Sequence, residues 1–181
     1  MNTQRHNVFV SYHHDDDEYR NWFEYFFADG DSVIMISKSV QMGDIDDGLP
    51  AETIRQKIRD EYLRDSTVTV VLIGIHTWQR KHVDWEIASS IRDTVKNPRS
   101  GLLGIFLPSY PLINNNFNPY TIPPRLYYNW KRGFAELHAW SENPYEVQEW
   151  IHNAFLNKDK ISPDHSYPLF SYNKSGEQWH E

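Results

Sequence analysis

Hydrophobic residues in this chain follow two alternating patterns: short apolar runs, and stretches in which they recur every three or four positions. A short run rich in Val, Ile and aromatic residues predicts a β-strand, whereas the longer spacing predicts an amphipathic α-helix. The predicted strands are residues 7–12, 32–37, 67–73 and 101–107, with a further short strand at 125–130. The predicted helices are residues 15–28, 50–62 and 84–95, and a last one that follows Asn143.

Strands that alternate with helices at this spacing predict a parallel sheet covered by helices on both faces. The run at residues 32–37 is apolar through its middle, which predicts that the second strand is buried on both faces. Ligands of such sheets bind beyond the carboxyl ends of the strands. This rule points to the loops at residues 11–16, 37–50 and 74–86 as the place of a functional site.

Composition narrows the class of protein. The chain has 181 residues, a formal net charge of −7 and no cysteine. Its length fits one domain, assigned to residues 1–157, with a polar C-terminal extension at 158–181. An acidic chain without a basic stripe is not expected to bind nucleic acid, and the lack of cysteine excludes disulfides and thiolate nucleophiles. No apolar run approaches the ~20 residues of a membrane span, so we expect a cytoplasmic protein without a membrane partner.

Single positions exclude several motifs that bind or transfer phosphate. Gly43 and Gly48 have the spacing of a Walker loop, but Leu49 occupies the position of its lysine. No Gly-x-Gly-x-x-Gly follows the first strand, which excludes the dinucleotide fingerprint. A phospho-receiver needs an aspartate at the end of the third strand, where residues 73–75 read Ile-Gly-Ile.

No metal site is predicted. Counted from Asp44, Gly48 is fifth and Arg55 is twelfth, whereas an EF-hand loop needs glycine sixth and glutamate twelfth. The adjacent His13 and His14 are expected to point in different directions, which argues against a shared zinc ion.

Glu86, near the start of the helix predicted at 84–95, is the acid that remains as a catalytic candidate. From spacing alone, the simpler interpretation is a first-turn acid that favours the helix dipole, with Asp84 as the N-cap. Trp78 and Trp85 are by the same reasoning aromatic residues of the core or its rim.

Two motifs that occur in the expected order favour the catalytic interpretation of Glu86 over the helix-stabilising one. The first strand ends in Val8-Phe9-Val10-Ser11-Tyr12, which closely resembles the opening box of TIR domains. Thr77-Trp78 followed by Asp84-Trp85-Glu86 resembles the segment that holds the catalytic glutamate of TIR enzymes that cleave NAD⁺. The resemblance covers about residues 5–157. It is closest to the bacterial TIR-like family, and within it to the TIR-like proteins of the Thoeris antiphage system.

The resemblance implies a flavodoxin-like three-layer α/β fold, with a central parallel sheet flanked by helices. It implies that NAD⁺ is the substrate, that no cofactor is resident, and that Glu86 is catalytic. It further implies a nucleotide signal that activates a separate effector protein of the same defence system, and a phage-derived trigger. The substrate-binding residues that it implies are Phe9, Ser11, Tyr12, Asp44, Trp78 and Trp85.

The chemistry of NAD⁺ cleavage agrees with so sparse a set of residues. Nicotinamide leaves the ribose as a neutral molecule, so no general acid is required, and the sugar becomes oxocarbenium-like. One carboxylate can stabilise that charge, and Glu86 is the candidate. Attack by water then releases ADP-ribose, whereas attack from within the same molecule gives a cyclic ADP-ribose isomer. An aromatic lining that excludes water favours the cyclic product, which we expect here.

Two other functions remain open. They are a non-catalytic TIR-like adaptor, and a glycosyl-transfer enzyme that acts on nucleosides with the same carboxylate.

The loop at residues 38–50 is rich in Gly and Asp. We expect it to be a mobile gate over the pocket, with an ordinary surface turn as the equal alternative.

Overall fold

The computed structural model describes residues 4–38 and 48–181. It has five strands, β1 to β5: His6–Ser11, Met35–Ser37, Val68–Ile73, Gly101–Phe106 and Ala135–Ala139. Its α-helices, α1 to α5, are Asp17–Glu24, Ala51–Lys57, Lys81–Ser90, Pro124–Lys131 and Pro144–Lys160. Wider π-helical turns extend α1 through Tyr25–Asp29 and α2 through Ile58–Tyr62.

The five strands form one parallel sheet in the order β2-β1-β3-β4-β5. Helices cover both faces, which confirms the predicted three-layer α/β fold. The strand order reverses between β1 and β3: β2 lies on one side of β1, whereas β3, β4 and β5 follow on the other. The loops that follow β1 and β3 therefore lead to helices on opposite faces of the sheet. Such a reversal opens a crevice at the carboxyl ends of the two strands, where ligands of this fold class bind.

Two hydrophobic layers enclose the sheet. The β3 sequence Val-Thr-Val-Val-Leu-Ile is buried at every position, as expected for a central strand. Alternate side chains of the strands pack against α1 and α5 on one face, and against α2, α3 and α4 on the other. Since Gly101 lies against the backbone carbonyl of Ala154, a larger residue there would separate β4 from α5.

The second strand differs from its prediction. It is a three-residue edge strand, and Ile36 is exposed. The prediction that it is buried on both faces was wrong, because at this edge of the sheet the face that carries Ile36 stays exposed to solvent.

Two further predictions were wrong about type or extent. Residues 125–130, predicted as a strand, lie in α4, while the strand of this region, β5, follows at Ala135. The helix predicted at 84–95 begins at Lys81 and ends at Ser90, so that Val95 is fully exposed.

The residues after α5 pack onto the domain. Phe170 and Trp179 are both buried, and Trp179 Nε1 donates a hydrogen bond of 2.8 Å to the backbone oxygen of Ile122. The assignment of residues 1–157 as the domain and 158–181 as an extension stays a prediction. Among the described residues, no helix combines the length and the apolar character that a bilayer span requires.

Candidate active site

The last residue of β1 meets α3 at the carboxyl edge of the sheet. Ser11 Oγ donates a short, buried hydrogen bond to Glu86 Oε2. Ser11 ends the strand, and Glu86 lies in the helix that follows β3, so the contact joins the end of β1 to α3 where the strand order reverses. The two residues are 75 positions apart in sequence, and parallel pairing of β1 with β3 brings them together.

The Glu86 carboxyl group is almost completely closed off from solvent, with 2% of the residue exposed. Burial raises the pKa of Glu86 to about 8, because the charged form loses its hydration. The hydrogen bond from Ser11 favours the ionised form and opposes that rise in pKa. At pH 7 the group is therefore mostly protonated.

Asp84 anchors the start of α3. Its carboxylate accepts two hydrogen bonds from the Arg125 guanidinium, at 2.9 and 3.4 Å, and one from the backbone N–H of Phe170 at 3.0 Å. Both side chains of the ion pair are buried. The prediction that Asp84 is the N-cap was wrong, because α3 begins at Lys81 and Arg80 precedes it.

Trp85 and Phe9 pack together on the α2 side of the sheet. Both belong to a buried cluster that includes Ile54 and Ile58. The Trp85 indole Nε1 donates 2.8 Å to the backbone oxygen of Phe170, so the ring is fixed at both its apolar and its polar end. Phe9 lies on the same face of β1 as Ser11, and Trp85 directly precedes Glu86 in α3.

Tyr12 is not brought to Glu86. Successive side chains of an extended chain point to opposite faces, and because Ser11 faces α3, Tyr12 packs against the cluster on the α1 side. Its hydroxyl donates 3.1 Å to the carboxylate of Asp17, and Arg20 donates to it at 3.3 Å. The Tyr12 side chain therefore lies on the opposite face of the sheet from Glu86, and its predicted role in substrate binding stays a prediction.

Trp78 lies in a short 3₁₀ turn, Thr77–Gln79, between β3 and α3. The side chains of Trp78 and Thr77 are buried, and Thr77 Oγ1 accepts a 2.8 Å hydrogen bond from the backbone N–H of Gly74. Asp44 and most of the loop predicted as a gate lie outside the described residues. The substrate-binding roles of Phe9, Ser11, Trp78 and Trp85 stay predictions.

The loop after β1 brings titratable groups to the same edge. Asp16 is buried directly against Gly74, where a Cβ atom would overlap its carboxylate. Burial lowers the pKa of His13 to about 4. The rings of His13 and His14 stack at 4.3 Å between centroids, so the expectation that they point in different directions was wrong. The cause is a local change of backbone, since His13 is extended and His14 opens a 3₁₀ turn.

Arg125 and Phe170 are the residues that sequence reasoning missed. Arg125 lies in the segment assigned to a strand, and Phe170 lies in the segment assigned to a polar extension. The available signal for Phe170 was the apolar pair Leu169-Phe170 within an otherwise polar segment, because phenylalanine side chains are usually buried.

The comparisons with known proteins give one family. A family model described as the TIR-like domain of the Thoeris protein ThsB matches residues 9–110, more than half of the chain. The match includes both Ser11 and Glu86. A search of curated proteins gives no match. This family membership supports a role in Thoeris defence. The chain belongs to the family of ThsB TIR-like domains.

Proposed function

We propose that this chain cleaves NAD⁺ to nicotinamide and a cyclic ADP-ribose isomer, which activates a separate effector of the same defence system. The observation that carries the proposal is the buried Ser11–Glu86 pair, which lies at the β1/β3 crevice of a chain in the ThsB family. This crevice is where ligands of the fold class bind, and Glu86 offers the carboxylate that glycosidic cleavage needs.

Glu86 acts in its ionised form. As the bond from nicotinamide to ribose breaks, positive charge moves from the pyridinium ring to the sugar, and a carboxylate beside the ribose stabilises that charge. In the absence of substrate Glu86 is mostly protonated at pH 7, since its pKa is about 8. The cationic nicotinamide of bound NAD⁺ favours the ionised form, as does the Ser11 hydroxyl, so substrate binding itself prepares the group for catalysis.

The burial of Glu86 affects how NAD⁺ reaches the carboxyl group and which product forms. With 2% of the residue exposed, the carboxyl group becomes available to NAD⁺ only when neighbouring groups move. That requirement suits an enzyme that remains inactive until infection triggers it. We expect the apolar side chains of Phe9 and Trp85, which pack together near Ser11 and Glu86 in the sequence, to limit water near the reacting ribose and so to favour attack from within the substrate and a cyclic product.

The direct test is nicotinamide release from NAD⁺, with nucleosides offered in parallel and an extract of phage-infected cells added as the trigger. Wild-type protein should release nicotinamide, and Glu86→Gln should lower the rate on the order of 10²-fold or more. Glu149→Gln, which alters an exposed acid of α5, is the matched control and should keep the wild-type rate. Equal rates in wild type and Glu86→Gln would contradict the assignment. Cleavage of nucleosides alone would favour the glycosyl-transfer alternative, and no cleavage at all would favour the adaptor.

A further inference from the structure

A pocket rich in basic side chains lies beside the C-terminal end of α3. It has a volume of about 420 Å³ and is bounded by α2, by the π-helical turn that extends α2, and by the residues that follow α3. Four basic residues and two acids line this basic pocket: Arg55, Arg59, Arg92, Lys96, Glu52 and Asp60. Four positive and two negative side chains leave it with a charge of +2, in a chain whose formal net charge is −7.

Arg59 is the buried cation of the basic pocket, with 6% of the residue exposed. Its two Nη groups donate hydrogen bonds to the backbone oxygens of Ser89 and Asn97. Its Nε–H has no hydrogen-bond partner among the described residues. A buried donor without a partner is costly, and more so on a charged group. A ligand oxygen that accepted a hydrogen bond from Nε would remove this cost.

The positive charge around Arg59 is only partly balanced. Burial lowers the pKa of Arg59, and the neighbouring charge of Arg92 lowers it further. The carboxylates of Asp60 and Asp93 oppose this change in pKa. Asp60 also accepts a hydrogen bond of 3.0 Å from Asn97 Nδ2. Because like charges that lie close together repel, an anion bound between Arg59 and Arg92 would be stabilised.

The other cations of the basic pocket lie nearer to solvent. Glu52 is shared between two of them, at 2.8 Å from Arg55 and 3.6 Å from Arg92. The side chain of Lys96 forms no ion pair with any residue that the structure describes. Since Arg92 and Lys96 are both exposed, an anion can reach them from solvent.

We propose that the basic pocket binds the phosphate groups of a small molecule, with a diphosphate as the group that it recognises. The planar guanidinium of arginine donates paired hydrogen bonds to phosphate oxygens, and lysine adds a point charge. A diphosphate carries at least the two negative charges that the pocket lacks. The volume lies within the range of about 300–1,000 Å³ that is typical of sites for small molecules. Ser11 and Glu86 are not among the described residues that line the pocket, so the proposal stands independently of NAD⁺ cleavage.

The test is titration of the protein in a calorimeter with inorganic diphosphate, with ADP and with adenosine. We expect one diphosphate or one ADP to bind per chain, and no saturable binding of adenosine, which lacks phosphate. Tighter binding of ADP would identify a nucleotide as the source of the diphosphate, whereas tighter binding of the inorganic ion would identify the free anion. Arg92→Ala and Lys96→Ala should each weaken binding about tenfold or more, as expected for loss of a hydrogen bond between charged groups. Circular dichroism will verify that both variants fold.

Lys57→Ala is the matched control, because Lys57 is exposed on α2 but does not line the basic pocket. This variant loses the same charge and should bind ADP and diphosphate as wild type does. The proposal is overturned if wild type shows no saturable binding of either anion, or if adenosine binds as tightly as ADP. It is also overturned if folded Arg92→Ala and Lys96→Ala both bind as well as wild type, or if Lys57→Ala loses as much affinity as they do. In each of those cases the pocket does not recognise phosphate.

Discussion

Glu86 illustrates how a residue type acquires its chemistry from position. A glutamate in the first turns of an exposed helix is a helix-stabilising acid with an ordinary pKa, and spacing alone favours that interpretation. Here the helix lies against the sheet and its surface is buried at every position from Val83 to Ser90. The desolvated carboxyl group has a pKa of about 8, which no sequence pattern reveals.

Removal of the Ser11 hydroxyl should shift the pH dependence of catalysis. The hydrogen bond from Ser11 stabilises the ionised form of Glu86, so Ser11→Ala should raise the pKa of Glu86 above about 8. A hydrogen bond to a charged group contributes about 1.5–3 kcal/mol, and the acidic limb of the kcat/KM profile for nicotinamide release should move up by about one to two pH units.

Ser90→Ala is the matched control for that experiment. The Ser90 hydroxyl lies on α3 and, like that of Ser11, is buried. It donates to the backbone oxygen of Glu86 rather than to the carboxylate. The acidic limb should stay in place in Ser90→Ala. An unmoved limb in Ser11→Ala would show that the hydroxyl does not influence the reacting group.

Stability should depend on pH through the same carboxyl group. From pH 4.5, the ordinary value, up to about 8, the folded protein keeps a proton on Glu86 that the unfolded chain has lost. The free energy of unfolding therefore falls as pH rises through this window and becomes level above it. Between pH 5.5 and 8, Glu86 should lower it by an amount on the order of 3 kcal/mol.

Glu86→Gln should lack this part of the pH dependence, whereas Glu149→Gln should retain it. Urea unfolding of the three proteins at pH 5.5 and 8 measures the difference. If wild type and Glu86→Gln lose the same stability between the two pH values, the carboxyl group is not desolvated as described.

At the scale of elements, α3 is held at its start by a contact that joins three parts of the chain. Asp84 of α3 pairs with Arg125 of α4 and accepts a hydrogen bond from the backbone of Phe170. Asp84→Asn should leave the guanidinium buried without its counter-charge, which costs about 3–5 kcal/mol of unfolding free energy. Urea denaturation measures this loss.

Glu52→Gln is the matched control for Asp84→Asn. Glu52 pairs with Arg55 at 2.8 Å on the surface, where its side chain is 68% exposed. Its replacement should cost less than about 1 kcal/mol, because exposed ion pairs contribute little. Similar losses in the two variants would mean that the buried pair does not anchor α3.

The pattern of the sequence predicted the central elements well and the edges poorly. β3 is recognisable because a strand covered on both faces is apolar throughout, and α5 because Asn143 caps it, accepting 3.0 Å from the backbone N–H of Tyr145. β5 was missed because its faces are only partly covered, so its residues mix apolar and polar types. Residues 125–130 mimic a strand since Leu126 and its aromatic neighbours favour β-structure, yet packing made them helical.

At the scale of the whole molecule, the C-terminal residues pack against the start of α3 and the turn before it. The backbone of Phe170 contacts both residues that precede Glu86: it donates to Asp84 and accepts from Trp85. The backbone N–H of Lys174 donates 2.7 Å to the carbonyl of Gln79 in the turn before α3. Topology allowed the meeting of Ser11 with Glu86 to be predicted, but nothing in a polar, aperiodic segment predicts which surface it covers.

Loss of the Phe170 ring should weaken the packing of the C-terminal residues against α3. Phe170→Ala removes a buried aromatic side chain and should lower the free energy of unfolding by about 3–5 kcal/mol in urea denaturation, with reduced nicotinamide release. Tyr172→Ala, two residues away and exposed, should change stability by no more than about 0.5 kcal/mol. Equal stability of the two variants would indicate that the segment lies on the domain without supporting it.

The most direct test of the central claim is the nucleotide content of phage-infected cells that express either wild-type protein or Glu86→Gln. Infection supplies the trigger, so an inactive state of the purified protein cannot obscure the result. The proposed mechanism predicts that a cyclic ADP-ribose isomer accumulates and NAD⁺ falls in cells with wild-type protein, and that both changes are absent with an equal amount of Glu86→Gln. Accumulation of the same nucleotide with Glu86→Gln would contradict the assignment of this carboxylate to catalysis.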